Sequence, residues 1–179
     1  MGAKRIFPAK FLKLLTLACA FLSPLGLHSE ANDSVKAIKL GTRIYGAPVE
    51  PKTLEGKVVL MEFWGLACPP CKKGFPHLIS LARKHKDKPF HLIASNWQGG
   101  FKTADFMAFL KDECNMEENE PALSVVDQGS HPGITPKGIP HWGVFNHKGV
   151  LVKTAHGAVD DALIESLILE AEKEQADDK

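Results

Sequence analysis

The chain has only four cysteines among its 179 residues, and only one close pair among the four. It has no basic excess: its charges nearly cancel, at a formal +1 near neutral pH. It has no apolar run long enough for a comfortable bilayer span and no internal repeat. Each shortage excludes something. A disulfide-stapled scaffold needs a full set of paired cysteines. A structural zinc site needs four ligands and usually two close pairs. A nucleic-acid binder carries a basic surplus. A transmembrane helix needs about 20 apolar residues. What remains is ordinary globular composition, 44% hydrophobic and 24% charged, in a chain long enough for one domain with its own core.

The first thirty residues differ from the rest. Lys4, Arg5, Lys10 and Lys13 precede the short apolar run Leu14 to Leu22, which Ser23, Pro24 and Gly26 break. Ser29-Glu30-Ala31 then supplies small residues at the spacing of a cleavage site. This is the pattern of a secretory signal peptide over residues 1–31. Two variants stay open: an uncleaved membrane anchor, and a lipoprotein signal at Cys19, for which Thr16 is a poor fit. Cleavage after Ala31 removes four basic residues and one acid, which turns the formal charge to −2. It also leaves three cysteines, Cys68, Cys71 and Cys114. The expected location is exported and periplasmic, an oxidising compartment where a close cysteine pair tends to oxidise.

Residues 32–175 read as one domain, with 176–179 as a fraying tail. Val35 to Leu40 alternates loosely, as an edge strand would. Gly41, Gly46, Pro48 and Pro51 punctuate a loop. Val58 to Trp64 is a continuous apolar run, the pattern of a central strand buried on both faces. Phe75, Leu78, Ile79 and Ala82 follow at helical spacing, with Pro76 inside the helix as an expected kink. Phe90 to Ser95 reads as a strand, Phe101 to Cys114 as a helix and Ala122 to Val126 as a short strand. Ser130 to Ile139 is a loop. Trp142 to Phe145 and Val150 to Thr154 form a hairpin across Asn146–Gly149. The last helix runs from Val159 to about Lys173. The order is α/β, and a C-x-x-C at its first strand-to-helix junction points to a thioredoxin-like fold.

That junction is M-E-F-W-G-L-A-C-P-P-C, residues 61–71. Cys68 is placed to cap the helix, with Pro69 at the first helical position, where proline fits. A helix N-terminus stabilises a thiolate, so the Cys68 pKa should fall. The two prolines remove two amide donors and limit the effect. Lys72 and Lys73 add positive charge. Cys71, one turn in, should be more buried. Cys68 then attacks a disulfide and Cys71 resolves the mixed disulfide. Glu62, on the strand below, is a candidate proton acceptor for Cys71, its pKa raised by burial. Against this stands a Glu62 that points outward or pairs with a lysine. As a staple the pair would close a tiny loop and add little stability. As a metal clip it could hold copper with a histidine.

F-W-G-L-A-C-P-P-C-K-K-G-F-P-H-L resembles the active-site segment of thioredoxin-like proteins of the TlpA/ResA type. These are exported bacterial thiol-disulfide oxidoreductases, often tied to cytochrome c maturation. The match includes Phe63-Trp64, the C-P-P-C, Lys72 and Pro76. The helix around Phe106 and the strand Ala122 to Val126 resemble that family's helix-strand insertion. Ile139-Pro140 resembles its cis-proline, whose neighbouring backbone at Ile139 would pair with an extended substrate. The resemblance implies a central mixed sheet flanked by helices and a redox disulfide of Cys68 and Cys71. The residues themselves, not the resemblance, add Glu62 as a catalytic acid, since many relatives carry another residue there; Ile139, Pro140 and Trp64 are the expected substrate contacts. Trp64 also reads as packing below the site.

Three positions depart from the pattern: Ala67 where tryptophan is usual, Gly74 where an acid is frequent, and His141-Trp142 after the proline. The leading function is a periplasmic reductant of protein disulfides without cofactor or resident metal. It would act as a monomer on protein disulfides or dithiols, with a membrane electron donor and no nucleic acid. The alternative is a copper-binding chaperone using Cys68, Cys71 and His131 or His141. A thiol peroxidase would want threonine or serine at the position of Gly65. Cys114 reads as a free, partly buried thiol.

Overall fold

The computed structural model describes residues 33–100, 102–116 and 120–177. The leader expected at residues 1–31 and the tail residues 178–179 lie outside these, as does Phe101, the expected start of the second helix. The strands are β1 (Thr42–Gly46), β2 (Val58–Trp64), β3 (Phe90–Asn96), β4 (Leu123–Asp127), β5 (His141–Phe145) and β6 (Leu151–His156). The helices are α1 (Pro69–Lys84), α2 (Thr103–Cys114) and α3 (Asp161–Asp177). The strands form one mixed sheet in the order β1-β4-β3-β2-β5-β6. β2, β3 and β4 run parallel, while β1, β5 and β6 are antiparallel to their neighbours. Among the described residues no helix is long and apolar enough to cross a membrane.

The chain steps from β2 through α1 to β3, and from β3 through α2 to β4, in one direction across the sheet. Crossovers of one hand then put both helices on one face. Packing agrees. Val58, Leu60 and Trp64 of β2 share a core cluster with Phe75 and Ile79 of α1, Phe106 and Phe109 of α2, and Ile164 and Ile168 of α3. The alternate residues Val59, Met61 and Phe63 belong to a second cluster with Val35, Ile38, Leu54 and Ile134. Period-two alternation thus divides β2 between a face covered by three helices and a face covered by turns and loops.

Two expectations need correction. Val35 to Leu40 is not an edge strand: it opens with a 3-10 turn, Val35–Ala37, capped by Ser34. Val35 and Ile38 bury together at a spacing of three, which suits a 3-10 turn and not a pleat. The edge strand is β1, inside the glycine-marked stretch read as loop. Gly41 and Gly46 bracket it at φ +62° and +79°. A side chain on either would collide with the backbone of Asp127 or Leu123, so these glycines mark the ends of a strand. In addition, α3 continues through Ala176 and Asp177, residues assigned to the tail. Asp160 caps that helix, its Oδ1 accepting from the Leu163 N–H at 3.2 Å.

Candidate active site

β2 delivers the chain to the site, at the end where the parallel strands β2, β3 and β4 all finish. Gly65, Leu66 and Ala67 bridge from Trp64 to Cys68, which caps α1. Pro69 and Pro70 occupy the first two helical positions and Cys71 the third. Of these three residues only Cys71 has an N–H to give, and it donates to Cys68 Sγ at 3.2 Å. The helix end therefore offers the outer sulfur one amide instead of three. The two sulfurs are joined as a disulfide, with the Cα atoms 5.3 Å apart. Cys68 is 6% exposed and Cys71 2%, so the outer sulfur is the accessible one, as the helix register requires.

The Ile139–Pro140 peptide is cis. Ile139 O lies 3.7 Å from Cys68 Sγ, so this backbone edges the reactive sulfur. Glu62 faces the helical side of β2, with Leu60 and Trp64 and on the same face as Cys71. It is 5% exposed, and among the described residues its Oε2 has no hydrogen-bond partner. Burial pushes its pKa up to about 8. It lines a cavity of about 450 Å³ together with Pro70, Lys73, Ile139, Pro140 and His156. The cavity therefore links the carboxyl to the helix that carries the cysteines and to the cis-proline.

Other candidates separate clearly. Trp64 is 0% exposed and packs on Phe75 and Phe106, with ring centroids 4.5 and 5.3 Å away. It supports the site from below, and its assignment as a substrate contact is corrected to packing. Lys72 pairs with Glu113 at 2.6 Å and sits over the Phe109 ring, so its charge is engaged by a carboxylate. His131 lies on the other face of the sheet. Its Nε2 meets Ser34 O at 2.9 Å, its Nδ1 accepts from the Gly133 N–H at 3.1 Å, and its ring packs on Phe145. Both nitrogens are engaged, which removes His131 from the copper alternative. His141 pairs across the hairpin with His156, which lowers its pKa after burial has done so. Among the described residues no group of three or more His, Cys, Asp or Glu side chains could hold a metal ion. Cys114 is buried, and burial first, then Glu113, pushes its thiol up to about 11.

One positioning residue escaped the sequence reading. Gln98, just beyond β3, accepts the Ala67 N–H on its Oε1 at 3.1 Å. A Cβ on Gly65 would overlap the same side chain. Gly65 and Gln98 therefore fit as a pair and fix the approach to Cys68. A glycine between a buried strand and a cysteine pair was the available signal, but its partner is 33 residues away.

Comparison with known proteins agrees with this geometry. The Redoxin family matches residues 30–168. The thiol-disulfide oxidoreductase ResA of Halalkalibacterium halodurans is 28% identical over 139 residues, covering 69% of this chain and 67% of that one. ResA of Bacillus subtilis is 28% identical over 136 residues, covering 76% and 72%. A thiol-disulfide isomerase from Corynebacterium glutamicum shares the fold with a TM-score of 0.52 at 21% identity, over 73% of this chain and 94% of that one. The chain belongs to the Redoxin family, as a thioredoxin-like thiol-disulfide oxidoreductase of the ResA type.

Proposed function

We propose that the protein is an exported reductant of protein disulfides that works from the periplasmic side of the membrane and receives electrons from a membrane donor. The observation that carries the direction is the single amide on Cys68 Sγ. A dithiol is a strong oxidant when its reduced form is stabilised, and thiolate stabilisation at a helix N-terminus is one way to do this. Pro69 and Pro70 withhold that stabilisation, and Lys72 is committed to Glu113. The pair therefore holds its electrons weakly and gives them up to a substrate.

The reaction balances as follows. The Cys68 thiolate attacks a substrate disulfide, forming a mixed disulfide and releasing one substrate thiolate. Where Glu62 is ionised, Cys71 passes its proton to that carboxylate and attacks Cys68 Sγ, which releases the second substrate thiolate. Two electrons reach the substrate and the protein is left with the Cys68–Cys71 disulfide. A carboxyl with a pKa of about 8 is close to a thiol's ordinary value, so the proton transfer is nearly level. The backbone of Ile139 offers a strand edge along which an extended substrate can lie.

Cys71→Ser should trap a mixed disulfide through Cys68, recoverable with a protein partner under non-reducing conditions. The Cys68–Cys71 potential should lie near the thioredoxin value of about −270 mV. A potential near about −120 mV would reverse the direction of flow. Cytochrome c maturation is the process this reading favours, and the trapped partner tests it.

A further inference from the structure

Next to the loop that leads into Cys68 lies a second cavity, which shares no lining residue with the one at Glu62. It is an open groove of about 480 Å³ between the approach loop and α2. Its floor is apolar, formed by Leu66, Ala67 and Phe109. Its wall carries Asp105 and Asp112, which flank Phe109 on one stripe of α2 at spacings of four and three. Both aspartates are exposed, and among the described residues neither makes an ion pair. Among the described lining residues the one cation, Lys72, is held by Glu113. The groove therefore presents an uncompensated negative wall over an apolar floor.

Its position matters more than its charge. Ala67 precedes Cys68 directly, so their Cα atoms are about 3.8 Å apart. A substrate cysteine bonded to Cys68 must lie against this loop. An extended substrate advances about 3.3 Å per residue. Residues one to three positions from its cysteine then reach the groove, while its other flank lies along Ile139. A large side chain at position 67 would fill this space, and the methyl of Ala67 leaves it open.

We propose that this groove selects substrates whose disulfide is flanked, within three residues, by lysine or arginine. The apolar floor takes the aliphatic stem and the aspartates meet the cationic head. The inference rests on the reductant reading, because it assumes that a polypeptide disulfide is attacked by Cys68. It names the substrate class that reading leaves open.

The test uses the reduced protein and four synthetic disulfides. Three are peptides identical except for a lysine, glutamine or glutamate two residues from the cysteine, and the fourth is the neutral bis(2-hydroxyethyl) disulfide. The expected result is a kcat/KM order of lysine over glutamine over glutamate, with about tenfold between the extremes at low salt. That ratio should shrink as ionic strength rises. In the double variant Asp105→Asn, Asp112→Asn the lysine-to-glutamate ratio should fall to about one. Ala67→Trp should lower the lysine-to-glutamine ratio by filling the floor. Being a ratio, the readout is insensitive to a general loss of active protein. Equal kcat/KM for the three peptides, a preference for glutamate, or a preference that survives the double variant would overturn the proposal. Failure to reduce even the neutral disulfide would instead sink the reductant reading beneath it.

Discussion

Glu62 on one face of the central sheet and His91 and His131 on the other are buried on opposite terms. On the helical face Glu62 is enclosed with one oxygen unpartnered. On the loop face His91 and His131 are enclosed with partners: His91 Nε2 donates to Ser124 Oγ at 2.8 Å, and Ser124 in turn donates to Ala47 O at 2.7 Å. A buried polar group without a partner costs stability, so it persists where it does something besides hold the fold. The loop face therefore reads as architecture and the helical face as chemistry. The faces should also respond to pH with opposite sign. Glu62 is raised to about 8 and His91 lowered to about 4, each by burial and His91 also by Lys57.

The largest effect should come from Glu62. Its folded pKa exceeds its ordinary value of 4.5, so the folded state retains a proton that the unfolded state has lost. Stability is complete below pH 4.5 and declines as pH rises towards 8. The decline amounts to about 4 kcal/mol by pH 8, an order-of-magnitude figure from the shift. Glu62→Gln should remove this alkaline decline in urea titrations at pH 5 and pH 8. It should also slow release of substrate from the mixed disulfide while leaving attack by Cys68 in place. A variant with an unchanged alkaline limb would place the carboxyl in contact with water and end the comparison.

His91 is the mirror case, one step smaller. Its folded pKa lies below its ordinary 6.5, so the unfolded state takes up a proton first as pH falls. Its contribution is complete above pH 6.5 and is lost on the way to pH 4, by about 3 kcal/mol. His91→Asn should flatten that acid limb and leave the alkaline one intact. If His91→Asn and Glu62→Gln alter the same limb, the two faces are not independent.

Much of this division was legible in the sequence, for a physical reason. β2 is so uniformly apolar that its one acid stood out, and helical spacing after Cys68 fixed which cysteine is outermost. Ile139-Pro140 was legible through the family resemblance and its place before the hairpin, with the general fact that cis peptides belong to proline in support. The loop face was not legible. Val35 and Ile38 bury at a spacing of three, which over so short a stretch resembles loose alternation. The glycines that end β1 carry the same signal as glycines within a loop. Gln98 and Ser124 act through contacts 31 and 77 residues away in sequence, which no local pattern encodes. The tryptophan before the cysteine motif read both as a substrate contact and as packing below the site. Only packing on Phe75 and Phe106 shows that it faces inward.

His131 supplies the smallest and most discriminating test, because sequence placed it beside the cysteines and the structure places it across the sheet. Its imidazole ties three things together: Ser34 at the start of the 3-10 turn, Gly133 in the loop before the cis-proline, and the Phe145 ring of β5. Burial lowers its pKa, the Ser34 carbonyl and Asp33 oppose this, and the net direction is down. It is therefore neutral at pH 7, with one nitrogen donating to Ser34 O and the other accepting from Gly133. His131→Ala removes both bonds and leaves a void, but the turn and loop around it are irregular and can close in. The expected loss is about 2 kcal/mol, less than for a rigid aromatic core site. Because the ring lies on the far face from Cys68, the Cys68–Cys71 potential should not move. A shifted potential with stability unchanged would mean that the loop face reaches the disulfide through Ile139, and that architecture and chemistry are not divided by the sheet.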